Sequence, residues 1–140
     1  MLKALVTAAL AALLTGTAFA GPVEDANAHF KAIAANDVEA IAMQYAPDAV
    51  LVWIGGPLDG RYAGAAQLRE VWGKFAKQQG EIELAVGRTT ENANPKGATV
   101  TAEVLYNGNL AVKVRHVLAY RDGRIVNEIW QIDPKLVVNP

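Results

Sequence analysis

Two polar residues in neighbouring apolar runs form the pair best suited to transfer a proton. His116 lies in an alternating run at 112–120, on the same face as Val114 and Leu118, and this period of two predicts a half-buried strand. Glu128 lies in the next run, at 125–132. An imidazole beside a carboxylate is suited to general base catalysis. We therefore predict His116 and Glu128 as catalytic residues; the competing interpretation is a structural pair that satisfies two polar groups in an apolar interior.

The turn between the two runs decides whether these side chains meet. If Arg121-Asp122-Gly123 is a three-residue loop with Gly123 in the left-handed conformation, Tyr120 pairs with Arg124 and His116 lies opposite Glu128. A two-residue type I′ turn at Asp122-Gly123 instead sets His116 opposite Ile129 and turns Glu128 outward.

Aromatic residues are predicted to gather in the same region. Each alone is more often a core residue than a ligand contact, but together they suit a flat, largely apolar small organic molecule. The predicted substrate-binding residues are Tyr45, Trp53, Tyr62, Trp72, Phe75, Tyr106 and Trp130.

Several other kinds of chemistry lack the residues that they need. The chain has no cysteine and no serine, which excludes disulfides, thiolate metal sites and serine or cysteine nucleophiles. Gly55 and Gly60 have the spacing of a phosphate-binding loop, but Arg61 and Tyr62 follow where lysine and a hydroxyl residue are required. His29 could as easily face water on its helix, and no HxH or HExxH spacing is present. No metal and no cofactor are predicted.

Composition and the N-terminus limit location and partners. Residues 1–20 contain one charge, at Lys3, then an apolar run and a final Ala18-Phe19-Ala20, the pattern of a cleaved signal peptide. We therefore predict a periplasmic or secreted domain at 21–140, with no membrane partner after cleavage. The 13 basic and 14 acidic residues form no basic stripe, which argues against nucleic acid as a partner.

The order of periodic segments predicts an α+β fold. Helices are expected at 23–36, from the N-cap Asp37 through Tyr45, and at 65–77, with a strand at 49–54. From Glu81 onward the period is two, which predicts four antiparallel strands. Three N-terminal helices packed on one face of a curved antiparallel sheet enclose a conical cavity. The outer face of the sheet is mixed rather than polar, which favours a homodimer.

Two long phrases, "NDVEAIAMQYAPDAVLVWIGGPLDGRYAGAAQLREVW" and "VRHVLAYRDGRIVNEIWQID", resemble the NTF2-like superfamily, in particular its SnoaL-like branch. The resemblance implies a cone-shaped fold and favours the first register, because in that family the face holding position 130 looks into the cavity. The superfamily includes isomerases, polyketide cyclases, dehydratases, epoxide hydrolases and members with no known activity. Trp130 matches a catalytic acid of limonene epoxide hydrolases, and Val52–Ile54 lacks the acidic base of ketosteroid isomerases, so neither mechanism is implied.

Two functions follow as expectations. The first is a small-molecule-binding protein, acting as a cofactor-independent isomerase, cyclase or hydrolase through His116 and Glu128. The alternative is a non-catalytic periplasmic binding or dimerisation module. An open pocket lined by His116 and Glu128 would favour catalysis, whereas a cavity filled by Trp53, Trp72 and Trp130 would argue against it.

Overall fold

The computed structural model describes residues 21–140, so the predicted signal peptide at 1–20 lies outside the described residues. Helix α1 spans Pro22–Ala34, α2 spans Val38–Met43 and α3 spans Gly64–Gln79. The predicted N-cap is confirmed, because the Asp37 carboxylate accepts a hydrogen bond from the backbone N–H of Ala40 at 3.1 Å. The second helix ends at Met43 rather than at Tyr45, and the chain enters the first strand directly.

Six strands form one sheet. They are β1 (Tyr45–Ile54), β2 (Gly60–Ala63), β3 (Glu83–Asn94), β4 (Gly97–Asn107), β5 (Ala111–Arg121) and β6 (Arg124–Ile132). Their order across the sheet is β2-β1-β6-β5-β4-β3. Strand β2 was not expected: four residues of the glycine-rich stretch pair with β1, opposite 50–53.

The sheet is mixed, which corrects the antiparallel prediction. Strand β1 runs parallel to its neighbour β6, and the other neighbouring pairs are antiparallel. Only α1 and α2 precede the first strand, since α3 follows β2. Period-two patterning marks strands but carries no information on their direction, and the β1–β6 pair joins segments far apart in the chain.

Both predicted registers of the β5–β6 hairpin are wrong. Asp122 and Gly123 have φ angles of 51° and 73°, so they form a two-residue turn in which Arg121 pairs with Arg124, as a type I′ turn requires. A β-bulge then follows, because Tyr120 pairs with Ile125 whereas Ala119 pairs with Asn127. The extra residue returns the Glu128 side chain to the inner face.

The helices cover the inner face of the sheet. Helix α1 packs on β3 and β4, and α3 packs on β1, β2 and α2. The core between these layers holds most of the large aromatic side chains, several of them fully buried. No helix within residues 21–140 is long and apolar enough to cross a membrane.

Candidate functional site

A single carboxylate lies at the centre of the buried polar groups. Glu128, on β6, has no solvent exposure. The Nε2 atom of His29 lies 3.0 and 3.1 Å from the two carboxylate oxygens. The Tyr45 hydroxyl donates to Oε2, and the Trp72 indole N–H donates to the Tyr45 oxygen at 3.0 Å. We call the set around this carboxylate the Glu128 cluster: His29, Gln44, Tyr45, Trp72, Tyr106, His116 and Glu128.

His116 and Glu128, the predicted catalytic pair, lie close together, but they are not directly opposite each other across the β5–β6 hairpin. His116 is paired with Trp130 across the hairpin, and Glu128 with Leu118. The His116 Nδ1 atom is nevertheless 3.3 Å from Glu128 Oε1, although the angle is not that of a hydrogen bond. Its Nε2 atom lies 3.0 Å from the Tyr106 hydroxyl.

Sequence reasoning missed two cluster residues, Gln44 and His29, of which only His29 contacts the carboxylate. It is fully buried on α1, and its Nδ1 atom lies 2.9 Å from the Gln44 amide oxygen. The sequence did contain evidence that His29 is buried. Ala26, Phe30 and Ile33 form the buried stripe of this helix, and His29 lies three residues after Ala26 and four before Ile33. That spacing places it on the same face.

Charge in the cluster is set by burial and by the two imidazoles. The two ring nitrogens of His29 lie beside oxygen atoms of two different side chains, the Gln44 amide and the Glu128 carboxylate. Burial raises the pKa of Glu128, but the charge of His29 and the contacts with His116 outweigh it and hold this pKa well below its ordinary value. Burial lowers the pKa of His116 more than Glu128 raises it. The cluster therefore holds a buried carboxylate in contact with His29, and a neutral His116.

The two tyrosines act as hydrogen-bond donors in this setting. Burial raises the pKa of Tyr45 and of Tyr106 well above the ordinary value, and the negative charge of Glu128 raises both further. Neutral phenols can donate to a carboxylate or to a neutral imidazole. Each polar group at the centre thus meets a complementary partner, except for the poorly aligned Nδ1 atom of His116.

A layer of tryptophans covers the cluster. Trp53 stacks on Trp130 with ring centroids 4.5 Å apart, and Trp72 lies 5.3 Å from Trp53 and 5.2 Å from Trp130. Trp130 in turn packs on His116 at 4.9 Å. The indole N–H groups of Trp53 and Trp130 are buried without an acceptor among the described residues. The three tryptophans therefore fill the space in which the sequence predicted an open pocket.

Free volume remains on the other side of this layer. A cavity of about 290 Å³, which we call the Trp53 cavity, is lined by Trp53, Gly56, Pro57, Leu58, Phe75, Gln78, Gln79, Leu110, Ala111, Val112 and Ile132. None of these side chains is charged. The Gln79 amide is already used, since it donates to the carbonyls of Tyr106 and Leu110 and accepts from the Leu110 N–H.

The residues predicted to contact a ligand differ in whether they line the Trp53 cavity. Trp53 and Phe75 line the Trp53 cavity, whereas Trp72, Tyr106 and Trp130 lie in the core beneath it. Tyr62 supports the cavity wall from behind, because its hydroxyl donates to the Leu58 carbonyl at 2.6 Å. Tyr45 belongs to the Glu128 cluster and also borders a smaller cavity of about 220 Å³ beside α2 and α3.

The glycine-rich stretch shapes one wall of the cavity. Gly55 and Gly56 have φ angles of 99° and 72°, a conformation that other residues rarely adopt. The Gly55 N–H donates to the Asp59 carboxylate at 2.7 Å, which closes the turn. As for metals, residues 21–140 contain no group of three or more histidine, cysteine, aspartate or glutamate side chains arranged to hold an ion.

Comparison with known proteins identifies the family. The SnoaL-like domain matches residues 26–128, so the chain belongs to the SnoaL-like domain family. A search of curated proteins found no match.

Solved structures share the fold at low sequence identity. An NTF2-like protein of unknown function from Burkholderia xenovorans LB400 is 21% identical, with a TM-score of 0.64, over 84% of this chain and 86% of that one. A candidate polyketide cyclase from Sinorhizobium meliloti is 23% identical, with a TM-score of 0.54, over 77% and 94%. A de novo designed protein with a curved β-sheet is 19% identical, with a TM-score of 0.64, over 81% and 85%. Since natural and designed chains match alike, these similarities establish fold and not activity.

Proposed function

We propose that this protein binds a small, flat, uncharged organic molecule in the Trp53 cavity. The observation that carries this proposal is a free volume of about 290 Å³ bounded by aromatic rings and by no charged side chain. Burial of apolar ligand surface against Trp53 and Phe75 supplies the binding free energy. A volume of this size suits a compound of two or three fused or linked rings.

Non-catalytic binding is favoured over catalysis by the position of the Glu128 cluster. Neither His116 nor Glu128 lines the Trp53 cavity, and Trp53 and Trp130 lie between the cavity and His116. A general base must come within hydrogen-bond reach of the proton that it removes. A ligand in this cavity is separated from His116 by two indole rings, so the geometry supports binding without turnover.

The binding proposal is tested by filling the cavity. We expect the neutral fluorophore N-phenyl-1-naphthylamine to bind the wild-type protein saturably, with an increase in its emission. Val112→Phe adds a ring to the cavity wall and should weaken binding by about tenfold or more, since the ligand no longer fits. Val137→Phe is the matched control, because it adds the same volume at an exposed valine that does not line the cavity.

Two outcomes would contradict the proposal. The first is an absence of saturable binding in the wild-type protein. The second is equal binding by Val112→Phe and the wild type, which would place the ligand elsewhere. Circular dichroism of both variants checks that the fold is retained.

A second candidate function is proton transfer by His116 and Glu128 after the tryptophan layer opens. One observation favours it: His116 is buried and neutral, with Nδ1 unpaired and 3.3 Å from a carboxylate oxygen. Conversion of cyclohex-3-enone to its conjugated isomer, followed by ultraviolet absorbance, tests this chemistry. Turnover that His116→Gln abolishes, with fluorophore binding retained, would favour catalysis over binding alone.

Export and self-association are further parts of the proposal. Cleavage after Ala20 is tested by N-terminal sequencing of protein secreted by a bacterial host. A homodimer through the outer face of the sheet would cover Val117, Ala119 and Ile129, which are half-buried on the face opposite His116. Light scattering of wild-type protein and of Val117→Glu tests this interface, because a buried glutamate would separate the two copies.

A further inference from the structure

A second region of the molecule holds a buried polar group without a partner. Tyr120 lies at the end of β5 and is 5% exposed. Its hydroxyl is buried and finds no hydrogen-bond partner within residues 21–140. Burying a hydroxyl without a partner costs free energy. Such a group therefore calls for an explanation.

Tyr120 borders two adjoining cavities, which we call together the Tyr120 furrow. The first, of about 380 Å³, lies between the start of α1, the β3–β4 turn and the β5–β6 turn. The second, of about 220 Å³, lies between α1, the end of α2 and the β5–β6 turn. Asp25, Tyr120 and Gly123 line both. The furrow is distinct from the Trp53 cavity, with which it shares no lining residue.

The Asp25 carboxylate in this furrow is also without a partner. It is half-buried on α1, and it forms no ion pair with any residue of the described chain. Burial raises its pKa, and the neighbouring Glu24 raises it further. Asp122, Lys96 and Arg124 also border the furrow, but all three are exposed, so water screens their charges. The partly desolvated charge of the furrow is that of Asp25.

We propose that the Tyr120 furrow binds an organic ammonium ion. Its N–H groups donate to the Asp25 carboxylate and, once the Tyr120 side chain turns toward the furrow, to the phenol oxygen, which is fully buried and unpartnered in the structure. The apolar part of the ligand packs on the Tyr120 ring and on Pro22, Pro95 and Ala98, which line the first cavity. An ammonium near an aromatic ring gains further attraction from the ring. The site is separate from the proposed binding of a neutral molecule at Trp53.

Benzylamine, protonated at neutral pH, is the probe, and benzyl alcohol is its neutral match in shape. We expect benzylamine to shift backbone amide signals of the furrow saturably, and benzyl alcohol to bind at least about tenfold more weakly. Asp25→Asn should weaken benzylamine binding by about tenfold or more. Glu24→Gln is the matched control, because it removes the same charge one residue away from an exposed side chain that does not line the furrow.

Tyr120→Phe separates a ligand site from a structural residue. The substitution removes a buried hydroxyl that has no partner, so the melting temperature should stay the same or rise. Benzylamine affinity should nevertheless fall. Unchanged affinity in Asp25→Asn, equal binding of benzyl alcohol and benzylamine, or no saturable binding would each overturn the proposal. So would a lower melting temperature with unchanged affinity in Tyr120→Phe, since it would show that the hydroxyl acts in folding.

Discussion

The Glu128 cluster and the Trp53 cavity lie on either side of one layer of tryptophans, and they use buried polar atoms in opposite ways. In the cluster, the carboxylate contacts two imidazoles and a phenol. Beside the cavity, the Trp53 indole N–H is buried without an acceptor, and about 290 Å³ is free. Polar groups that satisfy one another stabilise the fold, whereas free volume and an unused donor are features of a ligand site.

The cluster joins most elements of the fold to one residue. Glu128 on β6 contacts side chains from α1, β1 and β5, and Trp72 and Tyr106 extend the hydrogen bonds to α3 and β4. A buried ion pair is a weak source of stability compared with apolar packing, but removing one partner is costly. The comparison therefore predicts large effects on stability at the cluster and effects on ligand affinity at the cavity.

The largest effect is expected from Glu128→Ala. The substitution leaves the buried His29 ring and the Tyr45 hydroxyl without their carboxylate partner, and we expect a loss of about 3–5 kcal/mol in the free energy of unfolding. Glu103→Ala, on the outer face of the same sheet, should cost less than about 1 kcal/mol. Urea denaturation measures both. A loss at Glu128 no larger than at Glu103 would show that the cluster does not stabilise the fold.

The pH dependence of stability tests the charges in the cluster. The native pKa of His116 is below its ordinary 6.5, so below that pH the unfolded chain takes up a proton that the native state resists, and stability falls. The native pKa of Glu128 is below its ordinary 4.5, so its stabilisation is present above that value and is lost as pH falls further. Urea denaturation across this range should show both losses.

The variant His116→Gln separates the loss of stability caused by His116 from the loss caused by Glu128. This variant should lack the loss that begins near pH 6.5 and keep the steeper loss at lower pH, because Glu128 and His29 are still present. A wild-type protein whose stability rises as pH falls below 6.5 would contradict a neutral His116. That outcome would mean that the native state, rather than the unfolded chain, gains the proton.

The sequence was informative where local patterns decide the structure. The three helices and most strands followed from periodicity, and the Asp37 cap from residue type. The side of the strand that His116 occupies was also correct. Two features of the sheet were missed: the parallel pairing of β1 with β6, which joins segments distant in the chain, and the short edge strand β2 in the glycine-rich stretch.

Single residues of the candidate site show the same limit of prediction from sequence. The type I′ turn was the less favoured of two alternatives, because in the resembled family the face holding position 130 looks into the cavity, yet the structure has that turn and a bulge that compensates for it. A bulge leaves no clear mark in one sequence. His29, by contrast, could have been placed in the core by its spacing from Ala26 and Ile33. Whether tryptophans line a cavity or fill it depends on packing, which the sequence does not reveal.

A smaller effect is expected at the cavity wall. Gln79 is 1% exposed and makes three hydrogen bonds to the backbone of Tyr106 and Leu110. Gln79→Leu leaves those groups unpaired, so we expect a loss of about 1–3 kcal/mol together with weaker fluorophore binding, because Leu110 lines the cavity. Lys77→Leu, at an exposed position on the same helix that does not line the cavity, is the control. Equal effects at the two positions would exclude a specific role for Gln79 in holding the wall.

The smallest effect tests whether the two regions are independent. Tyr106→Phe removes the hydroxyl that meets His116 Nε2 but keeps the ring that stacks on Trp130 at 5.1 Å. We expect a loss of about 1 kcal/mol in stability and no change in fluorophore affinity, because Tyr106 does not line the Trp53 cavity. Denaturation and a binding titration on the same preparation measure both. If affinity falls with stability, the tryptophan layer transmits changes in the cluster to the cavity, and the two regions form one site rather than two.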